Sequence, residues 1–314
     1  MTKEESDAKQ WRFKRYSHYL KDKYGCSAYR VGVDCGFSCP NRGASREQHG
    51  CTYCETYGAA AIYQDSFLSI REQVERALAF LKRRYGAEVF LLYLQAFSNT
   101  YDTVENLKRI YDYSLGLGEF RELIVSTRPD CLDNEKAALL SGYRRDDFDV
   151  WVELGLQSSH NRTLKAIHRG HTVEQFDQAF RLLRSAGIKL SVHLILGLPG
   201  ESWEDIEATV KYVASLKPEA VKLHNLHIPY NTIMYRQYEK GEIDTVSFET
   251  YLDYVVKTLE LLPPETVIQR VVADTPKERL AAPKDFGNKC IFIEVLERKM
   301  EELNTFQGCK FQSL

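Results

Sequence analysis

Six short runs rich in Val, Ile and Leu recur along this chain, with stretches of helical periodicity lying between them. The runs are Tyr29 to Val33, Val89 to Gln95, Leu123 to Thr127, Val150 to Gln157, Leu190 to Leu196 and Val221 to Ile228. The helical stretches are Ile70 to Tyr85, Thr103 to Leu115, Asn134 to Gly142, Asn161 to Ile167, Val173 to Ala186 and Trp203 to Ser215. Near-continuous apolar runs of this length suit parallel strands covered on both faces, and their alternation with helices implies right-handed βαβ units. The expected fold class is therefore α/β, a sheet curled into a partial (βα)6 TIM-type barrel. Gly187 reads as a helix stop, and Ser202 with Asp205 as a capping arrangement at the next helix start. In front of the barrel, residues 1–24 form an extension whose Trp11 to Tyr24 stretch reads as an aromatic, basic helix packed on the barrel. The barrel core spans 25–264. After Leu262-Pro-Pro264, residues 265–314 form a small α/β extension with a strand at Val267 to Val272 and a helix at Lys289 to Leu303.

Of the eight cysteines, Cys39, Cys51 and Cys54 crowd into one Gly- and Pro-punctuated loop directly after the first strand. Three clustered thiols are one short of a closed structural zinc site, and they leave an open metal position where chemistry can occur. Cys35 completes a Cys-x3-Cys-x11-Cys-x2-Cys set if it is counted, which is the zinc alternative. Cys26, Cys131, Cys290 and Cys309 are scattered and read as ordinary thiols. The first ten residues lack the apolar core of a signal peptide, and no apolar run reaches membrane-spanning length. The protein reads as cytoplasmic with no membrane partner, where reducing conditions favour metal or catalytic cysteines over disulfides. A net charge of −2 carries no global nucleic-acid signature.

In a βα barrel, residues at the C-terminal ends of the strands converge on one mouth. The cysteine loop lies at such an end. Gln95-Ala-Phe-Ser-Asn-Thr-Tyr101 follows strand two, with Ser98 and Asn99 as either site residues or helix caps, and Ser126 with Thr127 and Arg128 closes strand three. In strand four, Glu153 and Gln157 interrupt apolar sequence, so a ligand or a neighbouring polar network must receive them. Strand five exits into Leu196-Gly-Leu-Pro-Gly-Glu201, where Gly197 permits close backbone approach or a tight turn.

In order along the chain, Asp34-Cys-Gly-Phe-Ser-Cys-Pro-Asn-Arg42, Gly50-Cys-Thr-Tyr-Cys54, Gln95 to Tyr101, Glu153-Leu-Gly-Leu-Gln-Ser158, His168-Arg-Gly-His171, Leu196 to Glu201 and Phe306-Gln-Gly308 resemble the radical S-adenosylmethionine (SAM) superfamily. The wide gap between Cys39 and Cys51 is similar to that of its elongator-catalytic-subunit-like branch and, within it, the bacterial YtqA/YhcC group. The resemblance covers about Tyr24 to Pro264. It implies a [4Fe-4S] cluster held by Cys39, Cys51 and Cys54, with SAM on the remaining iron. It further implies Tyr53 near the adenine, Gln157 at the ribose and Arg169 at the methionine carboxylate, where a guanidinium fork is apt. Ser98, Asn99, Ser126, Glu153 and Gly197 complete the implied cofactor surroundings, with Ser98-Asn-Thr100 standing where many members carry a Gly-Gly-Glu-type loop.

The chemistry so implied is reductive cleavage of SAM to a 5′-deoxyadenosyl radical, with electrons from a donor such as flavodoxin or ferredoxin. The implied substrate is tRNA, at the C5 aminomethyl group of wobble 2-thiouridine, a base splayed from its loop to reach the barrel. Basic and aromatic residues in Trp11 to Tyr24 and Arg30 are candidate RNA contacts, with core packing as the competing reading. Two alternatives stay open on sequence alone: a radical enzyme acting on a small metabolite or tetrapyrrole, and a non-catalytic zinc protein that binds RNA or serves as a scaffold.

Overall fold

The structure is a computed structural model that describes residues 11–43, 46, 48, 50–55, 68–273 and 275–312. The polar segment 1–10, read above for targeting signals, lies outside the described residues. The strands are β1 (Ala28–Val33), β2 (Val89–Leu94), β3 (Phe120–Thr127), β4 (Asp149–Gln157), β5 (Lys189–Leu196), β6 (Ala220–Asn225), β7 (Ile228–Pro229), β8 (Val267–Arg270) and β9 (Leu280–Ala282). The helices are α1 (Tyr16–Tyr24), α2 (Ile70–Tyr85), α3 (Val104–Leu115), α4 (Asn134–Ser141), α5 (Asn161–Ala166), α6 (Val173–Ser185), α7 (Trp203–Leu216), α8 (Ile233–Glu239), α9 (Phe248–Leu261) and α10 (Lys289–Glu302).

Seven strands form one sheet in the order β1-β2-β3-β4-β5-β6-β8. Every pairing is parallel, so each connection is a crossover and the sheet curls into the half-barrel expected. One strand more than expected takes part. β8, placed in the C-terminal extension by its position after Pro264, extends the barrel sheet through its pairing with β6.

Two other expectations are corrected. Val221 to Ile228 is not one strand: β6 ends at Asn225, and Ile228 pairs antiparallel with Ala282 in a separate two-stranded ribbon. The helix expected from Trp11 begins only at Tyr16, because the preceding backbone is engaged elsewhere. Ile268 donates to Lys14 O at 2.8 Å, Gln307 donates to Arg12 O at 2.8 Å, and Arg15 bridges to Ile268. That interlock binds both chain extensions to the edge of the barrel.

Alternating strand positions divide into two faces. One packs on the helices in the main core, with Val31, Leu92, Val125, Val152, Val192 and Leu223 all buried. The concave face is built in layers. At the bottom, Leu91, Ile124, Trp151, Ala220 and Val267 meet Leu20 of α1, with Tyr16 and Tyr19 packed alongside. Burying each such side chain stabilises by about 1.5–3 kcal/mol, which explains the aromatic content of α1 by packing. Tyr19 meets Trp151 edge-on at 6.1 Å. Arg30 lies inside the barrel on Glu153 at 2.7 Å, so the reading of this residue as a phosphate contact is not sustained. Above the apolar floor the concave face turns polar, with Tyr93, Glu153, Ser191, Lys222 and Gln269.

Helix ends follow their local chemistry. Ser69 and Glu72 form a reciprocal capping box on α2, as do Thr172 and Gln175 on α6, leaving the helix starts satisfied without tertiary help. Among the described residues, no helix is long and apolar enough to cross a membrane.

Candidate functional site

β1 delivers the chain to the mouth, and the cysteine loop is then folded back by a buried arginine. Arg42 is 1% exposed. Its Nη1 donates to Arg46 O at 2.6 Å and Gln48 O at 2.9 Å, and its Nη2 donates to Glu55 O at 2.6 Å and Cys54 Sγ at 3.3 Å. Gly50 is needed beside it, since a Cβ there would stand 2.9 Å from Arg42 Nε. Asp34 and Arg46 form a two-pronged ion pair at 2.6 and 3.0 Å, and the Arg46 guanidinium lies 4.4 Å over the Phe97 ring. Thr52 is pinned from two sides: its N–H donates to Ile167 O at 3.0 Å, and its carbonyl accepts from Met234 N at 2.9 Å.

Cys51 is the focus of the site. Its sulfur faces Asn41 Nδ2 at 3.5 Å, Arg169 Nη1 at 3.7 Å and Arg128 Nη1 at 3.9 Å. Two guanidiniums and an amide directed at one sulfur are the donors that a thiolate ligand of a metal receives from the residues behind it. Burial pushes the Cys54 thiol up to about 11, with Cys51 adding to the shift and Arg42 opposing it. Coordination deprotonates a thiol outright, so a bound metal resolves that conflict. The donor set fits an anionic thiolate cluster.

Cys35 is turned elsewhere. It packs in the helix-side core and lies beside Ser114, and burial pushes its thiol up to about 12. Among the described residues, no three His, Cys, Asp or Glu side chains converge where a single ion could be held. A lone zinc needs its thiolates about 2.3 Å from one point, whereas a cubane offers each thiolate a separate iron. The geometry counts against the closed zinc alternative.

Arg169 is locked in place from three directions. Nη2 donates to Gly155 O at 3.0 Å, Nε donates to His171 Nε2 at 3.1 Å, and Nη1 faces Cys51. The His171 ring is neutral: burial first, then Arg169, brings it down to about 3. Its ring nitrogens also face two backbone carbonyls, Nδ1 at 3.2 Å from Thr172 O and Nε2 at 3.1 Å from Gly155 O. Gly155 exists for this arginine, because a Cβ would meet Arg169 Nη2 at 2.4 Å and Gln157 Nε2 at 2.7 Å. Gly170, at φ +80, serves Asn41 in the same way, with its absent Cβ 2.2 Å from Asn41 Oδ1. Among the described residues, four of the seven non-glycine residues with positive φ, Ala96, Phe97, Gln157 and His168, surround this mouth. Each costs roughly 1–3 kcal/mol, and such strain collects at functional sites.

The other expected residues divide. Tyr53 lies at the mouth against the Ile167 and Met234 cluster, close enough to Arg169 to feel its charge, and burial raises its hydroxyl. Gln157 ends β4 directly above Gly155. The backbone carbonyl of Ser126 accepts from both the N–H and the side-chain amide of Asn99, each at 3.0 Å. Asn99 Oδ1 remains buried without a partner, while the Ser98 hydroxyl lies beside the Cys131 thiol. The open face of Gly197 is covered by Val246, whose side chain would stand 3.1 Å from a Cβ there. Glu153 sits one layer below the mouth, received by Arg30, Tyr93 and Lys222 of the chain itself. Arg128, Asn41 and Arg42 carry the site without having been assigned to it from sequence. A charged residue just past a buried parallel strand is the signal that marks Arg128.

Comparison with known proteins bears on this arrangement. Residues 45–213 match the family model of the Radical SAM superfamily, and residues 218–302 match that of the Radical_SAM C-terminal domain. The chain is 31% identical over 303 residues to YtqA of Bacillus subtilis, an uncharacterised protein, covering 96% of this chain and 94% of that one. It is 31% identical over 159 residues to the tRNA uridine(34) acetyltransferase of Methanocaldococcus infernus, covering 49% of this chain and 29% of that one. Among solved structures, the archaeal Elp3 of Methanocaldococcus infernus superposes with a TM-score of 0.67 at 19% identity, covering 89% of this chain and 64% of that one.

Proposed function

The chain belongs to the radical SAM superfamily, and on that footing we propose that this enzyme matures the C5 side chain of wobble uridine in tRNA, the aminomethyl group of 2-thiouridine being the favoured target. The family's cofactors are a [4Fe-4S] cluster and SAM, which together supply reductive cleavage of the sulfonium and abstraction of a hydrogen atom from the substrate. In this reading Cys39, Cys51 and Cys54 hold the cluster. Arg169, fixed by Gly155 and His171, takes the methionine carboxylate, and Gln157 and Tyr53 border the nucleoside. Arg128 and Asn41 direct their donors at the Cys51 sulfur and orient it for the cluster. The apolar floor under α1 keeps water from entering the barrel from below. A donor such as flavodoxin or ferredoxin supplies the electron.

The observation that carries the chemistry is the convergence of three cationic or amide donors on Cys51 at the mouth of a parallel half-barrel. The tRNA substrate is supported by the similarity to a tRNA uridine(34) acetyltransferase across half of this chain. Nucleoside mass spectrometry of bulk tRNA from a deletion strain tests it. The expected result is loss of the mature wobble uridine with accumulation of a precursor; an unchanged profile removes tRNA as the substrate.

A further inference from the structure

Below the cysteine loop the concave face is polar, and its charges do not balance. Glu153 is saturated. Its Oε1 accepts from Arg30 at 2.7 Å, and its Oε2 accepts from Tyr93 at 2.6 Å and Lys222 at 2.5 Å. The Gln269 amide, set with its nitrogen toward the carboxylate, adds a donor to Oε1 at 3.0 Å. One carboxylate is thus shared by two cations. A third cation, Arg270, is aligned with Lys222 across the register break between β6 and β8, and no described residue supplies it with a carboxylate. His193 and His224 stack above them with ring centroids 5.8 Å apart, and His224 Nε2 is buried without a partner.

Part of this layer borders open space: Arg270 is exposed, while Glu153 and Lys222 lie buried behind it. The Arg30 and His193 side chains keep 20% and 17% of their surface accessible although both sit on the concave face within their strands. A network that served only to hold the sheet closed would match its charges and fill its donors, because unmatched buried charge is costly. Here two cations share one buried carboxylate, the exposed Arg270 stands beside Lys222 with no carboxylate from a described residue, and His224 Nε2 is left without a partner.

We propose that this chamber seats an oxyanion carried by the substrate, a carboxylate or phosphate group held by Lys222 and Arg270, while Glu153 positions Lys222. The inference rests on the reading of this chain as a radical SAM enzyme whose substrate reaches into the barrel, but not on the substrate being RNA. Burial, with Arg30 and Arg270 adding and Glu153 opposing, brings Lys222 down to about 7. An arriving anion relieves that repulsion. The paired Arg30 and the neutral histidines leave Lys222 and Arg270 as the groups with donors to give.

The test is thermal unfolding of the anaerobically reconstituted full chain with saturating SAM, titrated with acetate in one arm and inorganic phosphate in the other, at constant ionic strength set with chloride. A ligand that binds only the folded state raises the midpoint with its concentration. Acetate or phosphate is expected to stabilise the wild type beyond chloride, and the more effective arm identifies the group. The half-saturating concentration is expected to rise roughly tenfold or more in both Arg270→Gln and Lys222→Met, in line with loss of one charged partner. Arg270→Gln removes an exposed, unpaired side chain and so keeps the fold even where Lys222→Met does not. No stabilisation beyond chloride, or an undiminished response in Arg270→Gln, overturns the proposal. Anion binding that persists while the tRNA profile of the deletion strain is unchanged separates this inference from the substrate assignment: the chamber stands and the tRNA reading falls.

Discussion

Adding one methyl group at Gly155 isolates the part of the site that positions Arg169. Gly155 lies within β4 with no positive φ, so alanine there meets no backbone strain and the effect is purely steric. The new Cβ would stand 2.4 Å from Arg169 Nη2 and 2.7 Å from Gln157 Nε2, both inside van der Waals contact. The glutamine end swings aside cheaply. Arg169 cannot, because Nε is tied to His171 and Nη1 faces Cys51. Overpacking of this kind costs about 1–3 kcal/mol. Falling on the residue proposed to take the SAM carboxylate, that cost weakens affinity by roughly 5- to 150-fold. Equilibrium dialysis with SAM on reconstituted Gly155→Ala measures it, with iron content as the control for an intact cluster. In an Arg169→Leu background the same methyl is expected to add almost nothing, since the clashing group is gone. Wild-type affinity in Gly155→Ala at full iron loading, or an equal loss in both backgrounds, would refute the argument that Gly155 acts through Arg169.

Glu153→Gln leaves Arg30 and Lys222 buried without their carboxylate, and an uncompensated buried charge costs about 3–5 kcal/mol; a lower urea midpoint at unchanged slope checks this, and wild-type stability contradicts it. His171 is held near 3 in the folded chain against an ordinary value of 6.5, so the unfolded state binds the proton first as the pH falls. Its contribution is complete above about 6.5 and is lost from there downward, by up to about 1.4 kcal/mol per pH unit. Urea titrations at pH 7 and pH 5 are expected to show a shallower loss of stability in His171→Gln than in the wild type, and an identical loss would assign the acid sensitivity to other groups.

The barrel strands were legible because parallel strands covered on both faces must be apolar in nearly every position, as in Val89 to Leu94. The same rule fails at Val221 to Ile228, where apolar character runs on through Leu226 although the backbone has left the sheet. Helix α9 carries apolar residues at 248, 251, 252, 255, 256 and 259, a helical stripe that stood unread in the sequence. For α1, aromatic content signalled packing, yet its late start depended on backbone pairing with Ile268 and Gln307 far along the chain. The cysteine loop was legible from composition and spacing alone. What surrounds it was legible only in part: Arg169 came with the family resemblance, whereas Asn41 and Arg128 reach Cys51 only through the curl of the sheet. Lys222 and His224, two apart among the apolar Ala220, Val221 and Leu223, carry the alternation that marks the concave face. The left-handed conformations of Ala96, Phe97, Gln157 and His168 leave no trace in residue type.

The account stands most directly on which thiols hold the cluster. Anaerobic reconstitution of the wild type and of Cys35→Ala, Cys39→Ala, Cys51→Ala and Cys54→Ala, followed by iron analysis and reductive cleavage of SAM, measures it. Wild type and Cys35→Ala are expected to bind about four irons per chain and cleave SAM, while each of the other three loses both. Loss of iron in Cys35→Ala equal to that in Cys39→Ala, or full iron loading in Cys39→Ala, would contradict the three-thiolate site.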